Sequence, residues 1–320
     1  MWTRRAMLGG LGALGLAAGS YAAGSFRATL ASARRRLTQR SQLAETRFGP
    51  IEFARAGDGT RLLMVHGTGG GFDQGLRFGQ GLIERGFEII APSRFGYLRS
   101  AFPDQPSPDN QADAFADLLD HLQIERIAVA GGSAGALPAA AFARRHPDRC
   151  SRLILMVPAA NLSGRDPVEF TALQQFLVRQ VLTSDFWFWS LATLAPERMF
   201  GTLLATDPVL LDRVSPAERE RAHLILTDLM PIAPRARGMM NDGYFSGHPT
   251  DLDFAAITAP TLILSAEDDR FGTAETARLI AARVPGARLV IYPDGGHIWL
   301  GHDADLAREI AEFVGPSPPG

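Results

Sequence analysis

Six short aliphatic runs, separated by stretches of helical periodicity, constrain this chain more than any other feature. They cover residues 61–66, 87–92, 126–130, 153–157, 260–265 and 288–292. Runs of this length without polar alternation mark strands buried on both faces. Residues 107–122 show the helical counterpart: Ser107 stands at an N-cap, Pro108 at the first helical position, and Ala112, Phe115, Leu118, Leu119 and Leu122 recur at helical spacing. Strands alternating with helices imply an α/β fold, a mainly parallel sheet covered by helices on both faces. The alternation stops between about 159 and 252. There the pattern is helical only, rich in aromatics (Phe176, Phe186, Trp187, Phe188, Trp189, Phe200) and broken by prolines. An insertion of this kind predicts a helical cap, residues 159–252, laid over the carboxyl edge of a core formed by 41–158 and 253–320.

With 320 residues, 46% of them hydrophobic, the chain can bury a sizeable core. Its net charge is −2, and its 32 basic residues, all arginine, are scattered rather than gathered into a stripe. No nucleic-acid partner is therefore expected. The single cysteine, Cys150, excludes an internal disulfide and a cysteine metal cluster, and its place at the start of a predicted strand makes it an inert core residue.

The first 40 residues read differently. Positions 6–26 carry no charge, a length sufficient to cross a bilayer as a helix, although many Gly and Ala residues leave the segment weakly hydrophobic. Two readings stand. Thr3-Arg4-Arg5-Ala6-Met7-Leu8 resembles a twin-arginine export signal, which would carry the domain to the periplasm, whereas Arg27, Arg34, Arg35, Arg36 and Arg40 look like the flank of a retained membrane anchor. Under both, residues 1–40 lie outside the globular fold and associate with a membrane through 6–26.

Gly131-Gly132-Ser133-Ala134-Gly135 joins the strand at 126–130 to a helical run beginning at Ala136. Glycines at 131 and 135 permit a cramped strand-to-helix turn that exposes the serine hydroxyl, the context of a nucleophile elbow. A serine needs a base. Of seven histidines, His297 in Tyr292-Pro293-Asp294-Gly295-Gly296-His297 lies on the loop after the last strand, at the carboxyl end of the sheet where α/β folds place their chemistry. His302 falls a turn into the final helix. The imidazole in turn needs an acid. Glu267, Asp268 and Asp269 follow the penultimate strand; position favours Asp269, with Asp268 the alternative. The order Ser133, Asp269, His297 is the one that accompanies the elbow.

His66-Gly67-Thr68-Gly69-Gly70-Gly71 follows the strand at 61–65, and its glycines let backbone N–H groups approach a reacting oxygen. A phosphate loop of the Walker type needs a lysine, and this chain has none. The oxyanion donors are assigned to the N–H groups of Thr68 and Ala134, with His66, Gly67 and Gly69 shaping the loop.

Taken together, the elbow, the HGTGGG loop and the terminal GGH resemble the α/β-hydrolase superfamily over roughly 48–315. The resemblance implies an eight-stranded, mostly parallel sheet with a mobile helical lid. Residues 92–100 look like the family segment that usually reads Asp-x-x-Gly-x-Gly-x-Ser, but Ser93 replaces the aspartate and Leu98 the second glycine. A serine at the elbow argues against haloalkane dehalogenases and epoxide hydrolases. A serine esterase for small to medium apolar acyl substrates is expected, needing no metal or organic cofactor. Carbon–carbon bond hydrolysis and aminopeptidase activity use the same triad, and a non-catalytic binding scaffold is the remaining alternative.

Overall fold

The computed structural model describes residues 4–38, 41–162 and 171–315. Eight strands, β1 (Gln42–Thr46), β2 (Gly49–Ala56), β3 (Thr60–Val65), β4 (Phe87–Pro92), β5 (Ile127–Gly132), β6 (Cys150–Met156), β7 (Thr261–Ala266) and β8 (Arg288–Tyr292), form one sheet in the order β1-β2-β4-β3-β5-β6-β7-β8. From β4 to β8 every pairing is parallel; β1–β2 and β2–β4 are antiparallel. The aliphatic runs of the sequence are β3 to β8. The hairpin of β1 and β2 is not announced by such a run, because β1 is a short edge strand that buries only Ala44.

Side chains of a strand alternate between faces, and the core divides accordingly. Leu63, Val65, Val129, Leu153, Leu155 and Ile263 pack with helices Pro108–His121, Ala136–Arg145 and Thr273–Arg283 on one side. Leu62, Met64, Ala128, Ala130, Ile154 and Leu262 face the other side, where Leu306 and Ile310 of helix Asp303–Val314 cover them. Helix Pro108–His121 starts as its sequence requires: the Ser107 hydroxyl accepts the Asn110 N–H at 3.1 Å.

Between β6 and β7 the described chain is helical apart from a single bridge, Asn161 to Pro249, with helices Ala172–Thr183, Asp185–Leu194, Pro196–Thr202, Pro216–Thr227 and Ala236–Gly247. Its aromatic residues split in role. Phe188 and Phe200 are its own core, while Phe176, Phe186 and Trp187 are exposed. Residues 163–170 of the predicted cap lie outside the described residues.

The amino-terminal segment departs from expectation. Residues 1–40 were expected to stand apart from the globular fold, yet they form a helix, Arg4–Thr38, whose later turns dock on the cap. Ala33 is only 2% exposed, and the Phe26 ring meets Phe186 edge-on at 5.4 Å and Trp189 at 5.6 Å. The arginines read as a membrane flank also have local work. Arg36 donates to the carbonyls of Asp228 (3.1 Å) and Met230 (2.9 Å), just past the end of helix Pro216–Thr227, where carbonyls lack helical partners. Among the described residues no helix is long and apolar enough to cross a membrane. The twin-arginine reading begins at Thr3, outside the described residues.

Because Ala33 faces the cap core, Ala33→Glu would bury a charge without a partner and is expected to undock the helix. Limited proteolysis with trypsin should then cut at Arg34, Arg35 and Arg36 several-fold faster than in the wild type, with cleavage elsewhere unchanged.

Candidate active site

The elbow is made by close packing. A Cβ on Gly135 would come within 2.4 Å of the His66 carbonyl oxygen and 2.7 Å of that of Val65, and one on Gly131 within 2.4 Å of the Gly135 carbonyl oxygen. With no side chain at either place, helix Ala136–Arg145 starts directly against the end of β3. Ser133 sits between them at φ +53°, a left-handed conformation that a serine holds only when its surroundings impose it.

The loop after β8 brings His297 to this serine. Ser133 Oγ lies 2.8 Å from His297 Nε2, and His297 Nδ1 lies 2.7 Å from Asp269 Oδ2, so the hydroxyl donates to the ring and the other ring nitrogen donates to the carboxylate. Asp269 is buried beneath the ring. Its Oδ1 accepts the Phe271 N–H at 2.9 Å, and its Oδ2 also accepts the Thr273 hydroxyl. Burial pushes this carboxyl's pKa up, but the facing His297 and these hydrogen bonds outweigh it, holding the pKa below the usual carboxylate value. Phe271 meets the His297 ring edge-on at 4.9 Å.

The two adjacent aspartates part company here. Asp268 turns away from the ring and its Oδ1 accepts the Gly296 N–H at 2.8 Å, bracing the turn that carries His297. Glu267 pairs with Arg278 at the surface. His302 stacks on Tyr292 at 4.5 Å and bonds Asp294, away from Ser133. Cys150 is buried, and burial raises its thiol to about 12, leaving it inert at neutral pH.

The glycine loop after β3 faces the serine across a short gap: a Cβ on Gly67 would come within 3.0 Å of Ser133 Cβ. Three of its N–H groups have acceptors. Gly67 N–H goes to Gln74 Oε1 (2.9 Å), Gly69 N–H to the Tyr97 hydroxyl (3.3 Å) and Gly70 N–H to the Gly67 carbonyl (3.2 Å). Thr68 N–H meets no acceptor among the described residues. Ala134, in the first turn after the elbow, has a N–H that no carbonyl of its own helix reaches. His66 is a scaffold: its Nε2 accepts the Arg94 N–H (2.9 Å) and its Nδ1 donates to the Gly67 carbonyl (2.7 Å). Complete burial and the charges of Arg94 and Arg235 hold its pKa well below the ordinary value, so the ring is neutral.

Several residues that sequence reasoning did not single out as functional surround this loop. Asp242, on cap helix Ala236–Gly247, makes a two-pronged pair with Arg94 (2.6 Å at each oxygen) and accepts the hydroxyls of Thr68 (3.0 Å) and Tyr97. Arg235, also from the cap and fully buried, donates to the Gly70 carbonyl (2.6 Å) and pairs with Asp73 (2.8 Å). Ser93, where the sequence departs from the family segment, accepts the Phe72 N–H through its Oγ at 3.0 Å.

A cavity of about 500 Å³ opens over the serine. Ser133, His297 and Thr68 line it together with Phe78, Leu203, Leu204, Ile225, Leu229, Met239 and Trp299 from core and cap. Asp242 is the one described acidic residue in the lining, no described arginine lines it, and Asp242 is already paired with Arg94. Among the described residues no group of histidine, cysteine and carboxylate side chains could hold a metal ion.

Residues 60–301 match the family model described as alpha/beta hydrolase fold. A protein of Bacillus subtilis (strain 168) described as an uncharacterized hydrolase, YcgS, is 30% identical over 265 residues, 80% of this chain and 91% of that one. The 2-hydroxy-6-oxo-6-phenylhexa-2,4-dienoate hydrolase of Burkholderia cepacia is 26% identical over 272 residues, 81% of this chain and 89% of its own. Among solved structures, an alpha/beta hydrolase fold protein from Nakamurella multipartita aligns with a TM-score of 0.72 at 26% identity, over 86% of this chain and 98% of that one.

The division of labour between the aspartates is testable. Asp269→Asn should lower kcat by about 10³–10⁴-fold, because the amide no longer holds the tautomer that leaves Nε2 free to take a proton. Asp268→Ala, which loses one hydrogen bond to a loop, should cost about tenfold or less in kcat, equivalent to at most ~1.4 kcal/mol. Since the folded pKa of Asp269 lies below its unfolded value, its ion stabilises the fold above about pH 4 and ceases to do so as pH falls through the folded pKa. The difference in unfolding midpoint between wild type and Asp269→Asn should therefore shrink when denaturation is repeated below pH 4.

Proposed function

The chain belongs to the α/β-hydrolase family and is a hydrolase; on that premise we propose that it cleaves carboxylic esters of small to medium, uncharged, apolar acyl groups through a Ser133 acyl-enzyme. The observation that carries the reading is a serine bonded to His297 at 2.8 Å, set in a largely apolar cavity in which no described side chain offers an unpaired charge.

In this reading His297 Nε2 takes the proton from Ser133 Oγ as Oγ attacks the ester carbonyl. Asp269 keeps the Nδ1 proton in place and stabilises the imidazolium that forms. Negative charge on the carbonyl oxygen is met by the N–H groups of Thr68 and Ala134. Loss of one such donor typically costs about 2.7–4 kcal/mol of barrier. Collapse of the tetrahedral species breaks the bond to the alcohol oxygen, which leaves with the proton from His297. A water molecule then gives its proton to His297, attacks the acyl carbon and releases the acid, restoring Ser133.

Several relatives are named as hydrolases of dienoates or dienedioates, substrates that carry carboxylates. A buried carboxylate calls for a paired cation. No described arginine lines this cavity and the sequence has no lysine, which favours an uncharged substrate.

Wild-type protein should turn over short p-nitrophenyl esters and be labelled by a fluorophosphonate at Ser133, located by peptide mass mapping. Ser133→Ala should abolish labelling and lower kcat/KM by about 10⁴-fold or more. Ester turnover that survives Ser133→Ala would overturn the reading. Faster spectroscopic decay of 2-hydroxy-6-oxo-6-phenylhexa-2,4-dienoate than of any ester tested would replace it with carbon–carbon bond hydrolysis.

A further inference from the structure

The oxyanion loop has little rigidity of its own. Residues 67–71 include four glycines, Gly69 lies at φ +81°, and the internal hydrogen bond of the loop runs from Gly70 N–H to the Gly67 carbonyl. Much of what holds it comes from the cap. Asp242 Oδ2 accepts the Thr68 hydroxyl at 3.0 Å, and the same oxygen accepts the Tyr97 hydroxyl, whose oxygen in turn accepts Gly69 N–H at 3.3 Å. Arg235 reaches the carbonyls of Gly69 (3.3 Å) and Gly70 (2.6 Å). Each residue from 68 to 70 is thus tied to a charged cap side chain directly, or, for the Gly69 N–H, through one hydroxyl.

Asp242 is built to do this without moving. It is 4% exposed, and both its oxygens are gripped by Arg94, which belongs to the core. The helix that carries it is pressed against the core at Gly238, where a Cβ would lie 2.2 Å from the Tyr97 ring, and where Gly238 N–H bonds the Gly96 carbonyl at 3.0 Å. Thr68 itself is exposed toward the cavity, so its hydroxyl is the contact that fixes the direction of its peptide.

We propose that Asp242 is a positioning residue for catalysis: by holding the Thr68 hydroxyl it aims the Thr68 N–H at the reacting carbonyl oxygen, so the oxyanion site is complete only while the cap helix is seated. The proposal rests on the serine-hydrolase reading above. Cap and catalytic loop are then one unit, and cap displacement disarms the enzyme as well as opening the cavity.

Thr68→Val removes the hydroxyl at an exposed position and leaves the Arg94–Asp242–Tyr97 contacts in place, so folding is not at stake. Removing an oxyanion donor outright costs about 10²–10³ in kcat, and an N–H that is present but poorly aimed is expected to cost about tenfold. With p-nitrophenyl butyrate, Thr68→Val should therefore lose about tenfold in kcat with KM within about twofold, while Thr68→Ser, which keeps the hydroxyl, stays within about threefold of wild type. Asp242→Asn should reduce kcat likewise, and adding Thr68→Val to it should lower kcat no further. Hydrogen exchange of a peptide covering residues 66–71 gives a readout that needs no substrate: Thr68→Val should exchange faster than wild type and Thr68→Ser should not. Wild-type kcat in Thr68→Val, equal losses in Thr68→Val and Thr68→Ser, or unchanged exchange in Thr68→Val would each overturn the proposal. Absence of Ser133-dependent ester turnover in the wild type would instead overturn the substrate reading, and the exchange comparison would still decide this one.

Discussion

Two halves of the site come from different strands, and what fixes their separation is the absence of a side chain at Gly135. The elbow follows β5 and the glycine loop follows β3, neighbours in the sheet. At Gly135 the helix after the elbow leans directly on the carbonyls of Val65 and His66, the last residues before the loop. Any Cβ there would wedge the strand ends apart, so Ser133 and the glycine loop share one rigid junction. The left-handed backbone of Ser133 is the local cost of that junction, and the surrounding sheet, buried on both faces, bears it.

Around this junction the protein spends buried charge where an apolar contact would be cheaper. Taking Arg94, Arg235 and Asp242 out of water costs several kcal/mol each before their partners repay it, and breaking such a pair costs about 3–5 kcal/mol. The return is directional. Guanidinium and carboxylate groups select one geometry among cap and loop atoms, whereas leucines would accept many. The apolar residues of the cavity, Leu203, Leu229 and Met239 among them, are then free to follow the shape of whatever the cavity holds.

How much of this could be read beforehand depended on how local the signal was. Strands β3 to β8 were visible as aliphatic runs because parallel strands are buried on both faces, whereas β1, with one buried side chain, left no pattern. Ser133, His297 and the acidic loop were legible because residue type, order and position after a strand all agree. The sequence favoured Asp269 over Asp268 only by position, and it takes the backbone to show which carboxylate reaches the ring and which braces Gly296. Arg94 and Asp242 are 148 positions apart, and no spacing rule links them. A basic cluster after an apolar run suits a lipid surface and equally suits helix-end carbonyls, and the sequence does not distinguish the two; Arg36 goes to the carbonyls.

That docked helix also gives the two chain ends unequal mechanical roles. Helix Asp303–Val314, near the carboxyl end, is packed on the sheet beside Leu62 and Leu262, so force applied there is absorbed by the core. Helix Arg4–Thr38 grips the cap through Phe26, Ala33 and Arg36. A pull on that helix is passed to the cap, whose residues share the lining of the cavity over Ser133 with the core.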